Sequence, residues 1–352
     1  MSMSEVTRVI GWYPETCHPT AIEPLGSSGG LSGAIFWRLT TPRGTLCLRR
    51  WPAEHPTRDR LAWIHHAVRH AANECPFPLP VPIETARGAT FAESDGRLWE
   101  LTPWLEGDPL PASPPDLDRI PTAMVALAEL HLALAAFAVS TGDQRNARTG
   151  SPPGIAKRLA LVGGTDFPLL ERAAASYRGE QELTGPLRRL AEILFRRWAL
   201  LSASVLQELQ MATRLSVILQ PCLRDVWRPH VLFHDNAVSG IIDFGALDVD
   251  SVAADISRFL GSLACAGSAD FEVWKIGLAA YAGVRPVSRD ERLLIATYDR
   301  SGLVLAAVNW IRWLAVERRP FPPGADVVER LSRLAGRLDG HSSSTDTHPA
   351  LL

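Results

Sequence analysis

Residues 217–259 constrain the fold of this chain most, because strand-length apolar runs alternate there with acidic loop residues. Residues 217–219 form an apolar strand, which is followed by a loop that carries Asp225. Two further runs, 231–233 and 238–242, are separated by a turn at Asp235-Asn236, and Asp243 follows directly. Apolar runs bounded by turn-forming residues are typical of short strands. We therefore predict a β-hairpin that returns Asp243 beside Asp225.

Two carboxylates at neighbouring loop ends suit the transfer of a phosphoryl group. One acid orients a hydroxyl nucleophile, and the other holds the metal ion that bridges the phosphates. Asp243 lies 18 residues after Asp225, and Asp255 follows 12 residues later. A β-hairpin with chance acidic turns is the simpler alternative.

These residues resemble the catalytic core of the protein-kinase-like superfamily, in particular the aminoglycoside phosphotransferase and choline kinase branch. Leu223-Arg224-Asp225 stands where that branch has His-x-Asp, and Asp243-Phe244-Gly245 matches its metal-binding Asp-Phe-Gly. His230 replaces an Asn that is expected five residues after the first Asp. The resemblance implies that Asp225 is catalytic, that Asp243 and His230 bind metal, and that Asp255 braces the catalytic loop. Because imidazole suits softer ions than Mg²⁺, Mn²⁺ is an alternative metal.

A glycine-rich segment near the N-terminus also resembles the family's nucleotide-covering loop. Glycines and small hydroxyl residues let backbone N–H groups approach phosphate oxygens closely. The residues expected to do so are Gly26, Ser27, Ser28, Gly29 and Gly30. Arg49, on the following strand, stands where the family has a phosphate-binding Lys. The chain has only two lysines, Lys157 and Lys275, so arginine must supply any cation before residue 157.

The next helix departs from the family pattern. Residues 57–74 have an apolar stripe at helical spacing. The family's helix supplies a Glu that pairs with the strand Lys, but no Glu lies in the middle of this one; His65 and His66 occupy the neighbourhood as ordinary helix residues. Residues 75–82, rich in proline, are predicted to feed an edge strand. Residues 97–104 form the last strand of this half, and the resemblance places Glu100 and Thr102 at the adenine-binding hinge.

The resulting prediction is an α+β, bilobal protein-kinase-like fold, with a small β-rich N-lobe hinged to a larger helical C-lobe. The N-lobe spans 1–103, the C-lobe spans 104–338, and 339–352 form a polar, disordered tail. The C-lobe helices are expected at 121–139, 168–178, 186–211, 269–282, 288–300 and 301–318. A Rossmann fold is disfavoured because the glycines lie between strands rather than between a strand and a helix.

Composition excludes several other classes. The net charge of −2 gives no reason to expect nucleic acid or an anionic membrane as partner. The apolar stretches are interrupted by polar residues and are shorter than a membrane span. The N-terminus has no apolar core of signal-peptide type, and the five cysteines are scattered, so a cytoplasmic protein with reduced thiols is expected.

The leading functional hypothesis is an ATP-dependent transferase that moves the γ-phosphoryl group to a hydroxyl of a small molecule. Arg228, three residues after Asp225, is a candidate for offsetting charge on that group. Asp248, Asp250 and Glu317 are candidates for attracting an aminated acceptor. The alternative is a pseudokinase, a nucleotide-binding or scaffolding protein with little turnover, because several motif positions depart from the family. A protein kinase is disfavoured because no Ala-Pro-Glu segment follows Asp243.

Overall fold

An antiparallel sheet of five strands forms the N-terminal part of the chain. The computed structural model describes residues 3–26, 33–111, 114–140, 148–176, 185–264, 268–317 and 327–343. The five strands are Ala21–Gly26 (β1), Ile35–Thr41 (β2), Gly44–Arg50 (β3), Ala92–Ser94 (β4) and Arg97–Pro103 (β5). Their order in the sheet is β1-β2-β3-β5-β4, so β3 lies at the centre.

Two helices accompany this sheet, Met3–Ile10 (α1) and Arg58–Glu74 (α2). Helix α2 begins where Thr57 accepts a hydrogen bond from the Arg60 N–H at 3.3 Å, which is an N-cap of the usual kind. The apolar stripe predicted for α2 is buried, as is His65 beside it. The predicted helix is therefore confirmed.

Residues 75–82, which were expected to feed an edge strand, are irregular, and the edge strand that follows them, β4, begins only at Ala92. Alternate residues there are prolines, which have no N–H to donate to a ladder. The segment runs in extended, irregular form, and Ile83 donates a single hydrogen bond to the Leu101 carbonyl at 2.8 Å. The edge beside β5 is occupied by β4.

The rest of the described chain is mainly helical. The helices are Arg119–Ser140 (α3), Pro153–Gly163 (α4), Phe167–Ser176 (α5), Gly185–Ala212 (α6), Ala253–Leu263 (α7), Ser268–Val284 (α8), Arg289–Ile311 (α9) and Val327–Ser343 (α10). Six short strands lie among them: Asp108–Pro109 (β6), Arg148–Gly150 (β7), Val217–Cys222 (β8), Val231–His234 (β9), Ala237–Ile241 (β10) and Asp248–Asp250 (β11). They pair as β10-β9-β6 and β11-β8-β7. The predicted hairpin is thus present as β9 and β10.

Helix α3 is the central helix of the large core. It is long and apolar enough to cross a membrane by length and composition alone, but most of it is buried inside the protein. It packs against α2, α8 and β8. Burial of this kind identifies a core helix.

Two helical predictions need correction. Where two helices were expected at 288–300 and 301–318, α9 runs without a break to Ile311 and continues as a π-helical turn, Arg312–Val316. Helix α10 was not predicted and reaches Ser343, beyond the expected start of a disordered tail at 339. The remainder of that tail, 344–352, lies outside the described residues. The described cysteines, Cys17, Cys47, Cys75 and Cys222, are free thiols, as expected.

A short connector, 104–107, joins β5 to the helical part. At its end Gly107 has φ +142°, and a Cβ there would lie 2.2 Å from Ser239 Oγ. Ser239 in turn donates a hydrogen bond to the Glu106 carbonyl at 2.7 Å. Only glycine fits this close contact between the connector and β10.

Candidate active site

The loop after β8 presents Asp225 at the surface. Leu223 is fully buried, whereas 52% of the Asp225 side chain is exposed. Between them Arg224 has φ +66°, a left-handed conformation that a side chain of this size rarely adopts. Backbone strain of this kind persists only where surrounding contacts hold it.

Asp255, in the first turn of α7, supplies those contacts. Its carboxylate is fully buried and accepts the backbone N–H groups of Leu223 at 2.7 Å and of Arg224 at 2.5 Å. It also accepts a hydrogen bond from His131 Nε2 at 3.0 Å. This is the arrangement that the expected bracing role requires.

His131 is itself held from the other side. The Tyr281 hydroxyl lies 2.7 Å from His131 Nδ1, and both side chains are buried in the core between α3 and α8. Burial lowers the pKa of His131, although the carboxylate of Asp255 acts in the opposite direction. A neutral imidazole, which the lowered pKa favours, would donate from Nε2 to Asp255 and leave Nδ1 to accept from the Tyr281 hydroxyl.

His131, Cys222 and Asp255 also lie close enough together to share a metal ion. Asp255, however, already accepts three hydrogen bonds, and burial raises the pKa of the Cys222 thiol well above its ordinary value. A cation there would have to displace the hydrogen bonds that hold the loop. The cluster is therefore structural.

The hairpin β9–β10 delivers Asp243 with φ +63°. One of its carboxylate oxygens, Oδ1, lies 3.3 Å from Arg49 Nη1 and accepts the Gly245 N–H at 3.3 Å. The other oxygen, Oδ2, lies 3.8 Å from His230 Nε2. Burial alone would raise the pKa of Asp243, but Arg49, His230 and the Gly245 N–H together lower it.

His230 lies at the end of a 3₁₀ turn, Arg228–His230, directly before β9. Its ring stands edge-on to Trp227 at 5.5 Å between centroids. Burial lowers the pKa of His230, with Asp243 opposing the effect, so the ring is neutral at pH 7. A neutral imidazole beside a carboxylate offers one nitrogen and one oxygen ligand to a cation.

Arg228 does not have the surroundings expected of a residue that contacts a phosphoryl group. Its guanidinium donates to the Leu110 carbonyl at 3.4 Å and to Glu329 of α10 at 3.5 Å. These contacts tie the loop to α10. The arginine that reaches Asp225 is Arg258, whose Nε lies 3.0 Å from Asp225 Oδ1.

Sequence reasoning missed Arg258, although a signal was present. It follows Asp255 by three residues on α7, which is about one helical turn, so both side chains lie on the face that meets the loop carrying Asp225. Trp227 was missed as well. Two guanidinium groups contact its ring, with Arg258 Cζ 5.7 Å and Arg330 Cζ 5.5 Å from the ring centroid.

Glu100 differs most from its expected placement. It lies within β5 directly opposite Arg49, and its side chain is buried. Glu100 Oε2 lies 2.7 Å from His65 Nε2, and Oε1 lies 3.7 Å from Arg49 Nη1. The side chain thus lies beside Arg49 and α2, where the family pattern has a helix glutamate. Thr102 is also in β5, opposite Cys47.

The glycine-rich loop is described only at its start. Gly26 ends β1 with φ +63°, and a Cβ there would meet no neighbouring atom within 4 Å. The predicted contributors Ser27, Ser28, Gly29 and Gly30 lie outside the described residues. Their role as a phosphate-covering loop stays a prediction.

An N-terminal sheet, a helical C-terminal part and paired acidic loops define a kinase-like small-molecule phosphotransferase. The chain belongs to the phosphotransferase enzyme family known as APH, whose model matches residues 25–290. This confirms the predicted family.

One curated relative and two solved structures illustrate the likeness. A homoserine kinase of Beijerinckia indica subsp. indica is 26% identical over 320 residues, covering 88% of this chain and 87% of the relative. An amicoumacin kinase in complex with AMP-PNP, Ca²⁺ and Ami superposes with a TM-score of 0.66 at 11% identity, covering 96% of this chain and 93% of that one. An aminoglycoside phosphotransferase from Alicyclobacillus acidocaldarius has a TM-score of 0.64 at 13% identity, with the same coverage. The two structures confirm the predicted fold class.

Proposed function

We propose that this protein is an ATP-dependent kinase that transfers the γ-phosphoryl group to a hydroxyl of a small molecule. The observation that carries the proposal is the braced loop, where Asp255 holds the strained backbone at Arg224 and leaves Asp225 exposed, near the partly exposed pair of Asp243 and His230. Membership of the phosphotransferase enzyme family supports it. A fold that stores strain to expose one carboxylate is typical of a functional site.

Each acid then has a separate role. Asp225 orients the acceptor hydroxyl and takes up its proton, as phosphoryl transfer requires. Asp243 Oδ2 and His230 Nε2 are the protein ligands of a divalent cation, Mg²⁺ or Mn²⁺. When bound, that ion neutralises charge on the phosphates. The family relationship supports ATP as the phosphoryl donor, with Arg49 contacting its phosphates.

The acceptor side favours an anionic group over a polyamine. Asp248 pairs with Arg60 at 3.0 Å and with Arg224 at 2.9 Å. Asp250 is buried and accepts a hydrogen bond from Tyr298 at 2.7 Å. Neither of these two acids is left to bind an amine, so they give no support to recognition of the acceptor through its amine.

Arg258 contacts Asp225, and Arg330 shares the Trp227 ring with it. Arg258 and Arg330 stack on the two-ring side chain of Trp227, and Arg330 is exposed, with no ion pair among the described residues. Guanidinium groups recognise carboxylates through paired hydrogen bonds. We therefore infer an acceptor that carries both a hydroxyl and a carboxylate. Homoserine fits this description, in agreement with the name of the curated relative.

Asp225→Asn tests the transferase directly. The variant should lose phosphoryl transfer by at least about a hundredfold, while its affinity for metal–ATP stays close to that of the wild type, because Asp225 acts on the acceptor side. Turnover is measured by ADP release and affinity by calorimetry. A wild type that binds ATP but turns over no acceptor would instead identify a pseudokinase.

A matched pair of acceptors tests the carboxylate preference. Homoserine and 3-aminopropan-1-ol share the amine and the hydroxyl, and differ by the carboxylate. Arg330→Gln should raise KM for homoserine about fivefold, the effect of a partly exposed ion pair, and leave KM for the amino alcohol unchanged. Arg289→Gln, at an exposed position of α9, is the control. Equal KM changes for both acceptors would exclude a carboxylate contact.

A further inference from the structure

A chain of polar contacts links helix α2 to Asp243 through the sheet. His65 Nε2 lies 2.7 Å from Glu100 Oε2, Glu100 Oε1 lies 3.7 Å from Arg49 Nη1, and Arg49 Nη1 lies 3.3 Å from Asp243 Oδ1. The four residues come from four separate elements, namely α2, β5, β3 and the loop after β10. We name this set the His65–Asp243 chain.

Strand register explains how Glu100 comes to contact Arg49. In the antiparallel pair β3–β5, Arg49 lies directly opposite Glu100. Side chains of directly opposed residues project on the same face of a sheet and contact each other. Helix α2 lies on that face and contributes His65, which is 2% exposed.

The surroundings of Glu100 leave little room for any other arrangement. Its side chain is 11% exposed, and a buried carboxylate is stable only when it is paired and hydrogen-bonded. The negative charge of Glu100 also acts on Cys47: burial is the larger cause and Glu100 the second cause that raises the pKa of the Cys47 thiol to about 12. Arg49 and His65 supply the partners that the carboxylate needs.

Aromatic rings also contact the flat face of the Arg49 guanidinium group. Its Cζ lies 3.4 Å from the Trp51 ring centroid and 5.1 Å from that of Phe36. Gly245 packs against the same guanidinium: a Cβ at this position would lie 2.8 Å from Trp51 Cη2 and 3.1 Å from Arg49 Nη2. Gly245 thus lets the guanidinium lie against Asp243. A planar cation held in this way loses little entropy on binding a phosphate.

We propose that Glu100 and His65 are positioning residues for the nucleotide phosphates. Glu100 holds the Arg49 guanidinium in place, and His65 holds Glu100, so that the position of α2 sets the position of the phosphate-binding cation. The role rests on the proposed kinase function. Neither residue touches the reacting atoms; both act through Arg49.

The test compares His65→Leu with His65→Gln. His65→Leu removes the hydrogen bond to Glu100 and should weaken metal–ATP affinity about tenfold, the effect of one hydrogen bond to a buried charge. His65→Gln places an amide donor in the same region and should restore most of the affinity. His66→Leu is the matched control, since it makes the same change at the next, exposed residue of α2.

Two further measurements separate positioning from a general loss of structure. Adenosine has no phosphates, so its affinity should be the same in His65→Leu and in the wild type, as should KM for the acceptor. Glu100→Gln combined with His65→Leu should cost less than the sum of the two single changes, because both act on Arg49. Circular dichroism checks that each variant is folded.

The outcomes are distinguishable. A wild type that does not bind metal–ATP overturns the proposed function and this role with it. A wild type that binds metal–ATP, with His65→Leu binding it equally well, overturns the positioning role alone. Equal losses of ATP and adenosine affinity also overturn it, since the defect then lies outside the phosphate site.

Discussion

Replacing Asp255 should both destabilise the protein and disturb the loop that carries Asp225. Asp255→Ala removes the acceptor of three buried donors, the N–H groups of Leu223 and Arg224 and the Nε2–H of His131. Breaking a buried charged network by removing one member costs about 3–5 kcal/mol. We expect a loss of about 4 kcal/mol in the free energy of unfolding, because all three donors lose their acceptor and the Leu223 and His131 groups stay buried.

This loss converts to a measurable change in the thermal midpoint. With an unfolding entropy of about 2.1 cal/mol/K per residue, about 4 kcal/mol lowers Tm by roughly 5 °C in a chain of this length. Urea unfolding followed by circular dichroism gives the free energy, and a thermal scan gives Tm. Asp255→Asn, which keeps one acceptor oxygen, should lie between Asp255→Ala and the wild type. Exposed Asp118→Ala should be neutral.

The catalytic consequence follows from the strained backbone at Arg224. Without Asp255 the loop can relax from φ +66°, and Asp225 then loses its fixed position. Transfer rates should fall at temperatures where the variant is still folded, with metal–ATP affinity retained. A loss below about 1 kcal/mol, together with normal turnover, would refute the reasoning, because it would mean that the loop holds its shape without the brace.

Three further predictions concern the metal site and the core. Asp243→Asn should weaken metal-dependent ATP binding by at least about a hundredfold in calorimetry while the fold is kept, since it removes a charged ligand from a partly exposed loop; unchanged binding would contradict the assignment. His230→Asn exchanges a nitrogen for an oxygen ligand and should shift the activity ratio from Mn²⁺ towards Mg²⁺; an unchanged ratio would remove His230 from the metal site. Burial lowers the pKa of His131 in the folded protein. In the unfolded chain His131 binds a proton near pH 6.5, whereas in the folded protein it stays neutral at that pH. The free energy of unfolding should therefore fall as pH falls below about 6.5. Urea unfolding of His131→Gln should show a shallower pH dependence; an identical slope would place the titration elsewhere.

Local signals in the sequence were sufficient for the central hairpin and for helix α2. Turn residues at Asp235-Asn236 mark the hairpin, and the apolar stripe marks the buried face of α2. Such signals depend only on neighbours in sequence, which is why they are legible without the structure. The bracing contacts of Asp255, by contrast, were predicted from the family resemblance and not from a local signal.

The contacts of Glu100 could not be read in the same way. Its position beside Arg49 depends on the register between β3 and β5, whose residues are far apart in sequence. A shift of one residue would turn Glu100 to the opposite face. Likewise, Arg228 was favoured by its nearness to Asp225 in sequence, but helix packing brings Arg258 to that carboxylate instead.

The guanidinium beside Asp243 also determines which reagents can report on this protein. Reactive nucleotide analogues that acylate amines need a lysine near the bound phosphates. Here the corresponding position is Arg49, and no lysine occurs before residue 157. Guanidinium groups stay protonated at neutral pH and are poor nucleophiles towards such reagents. An amine-acylating nucleotide analogue would therefore not label the proposed phosphate site at Arg49.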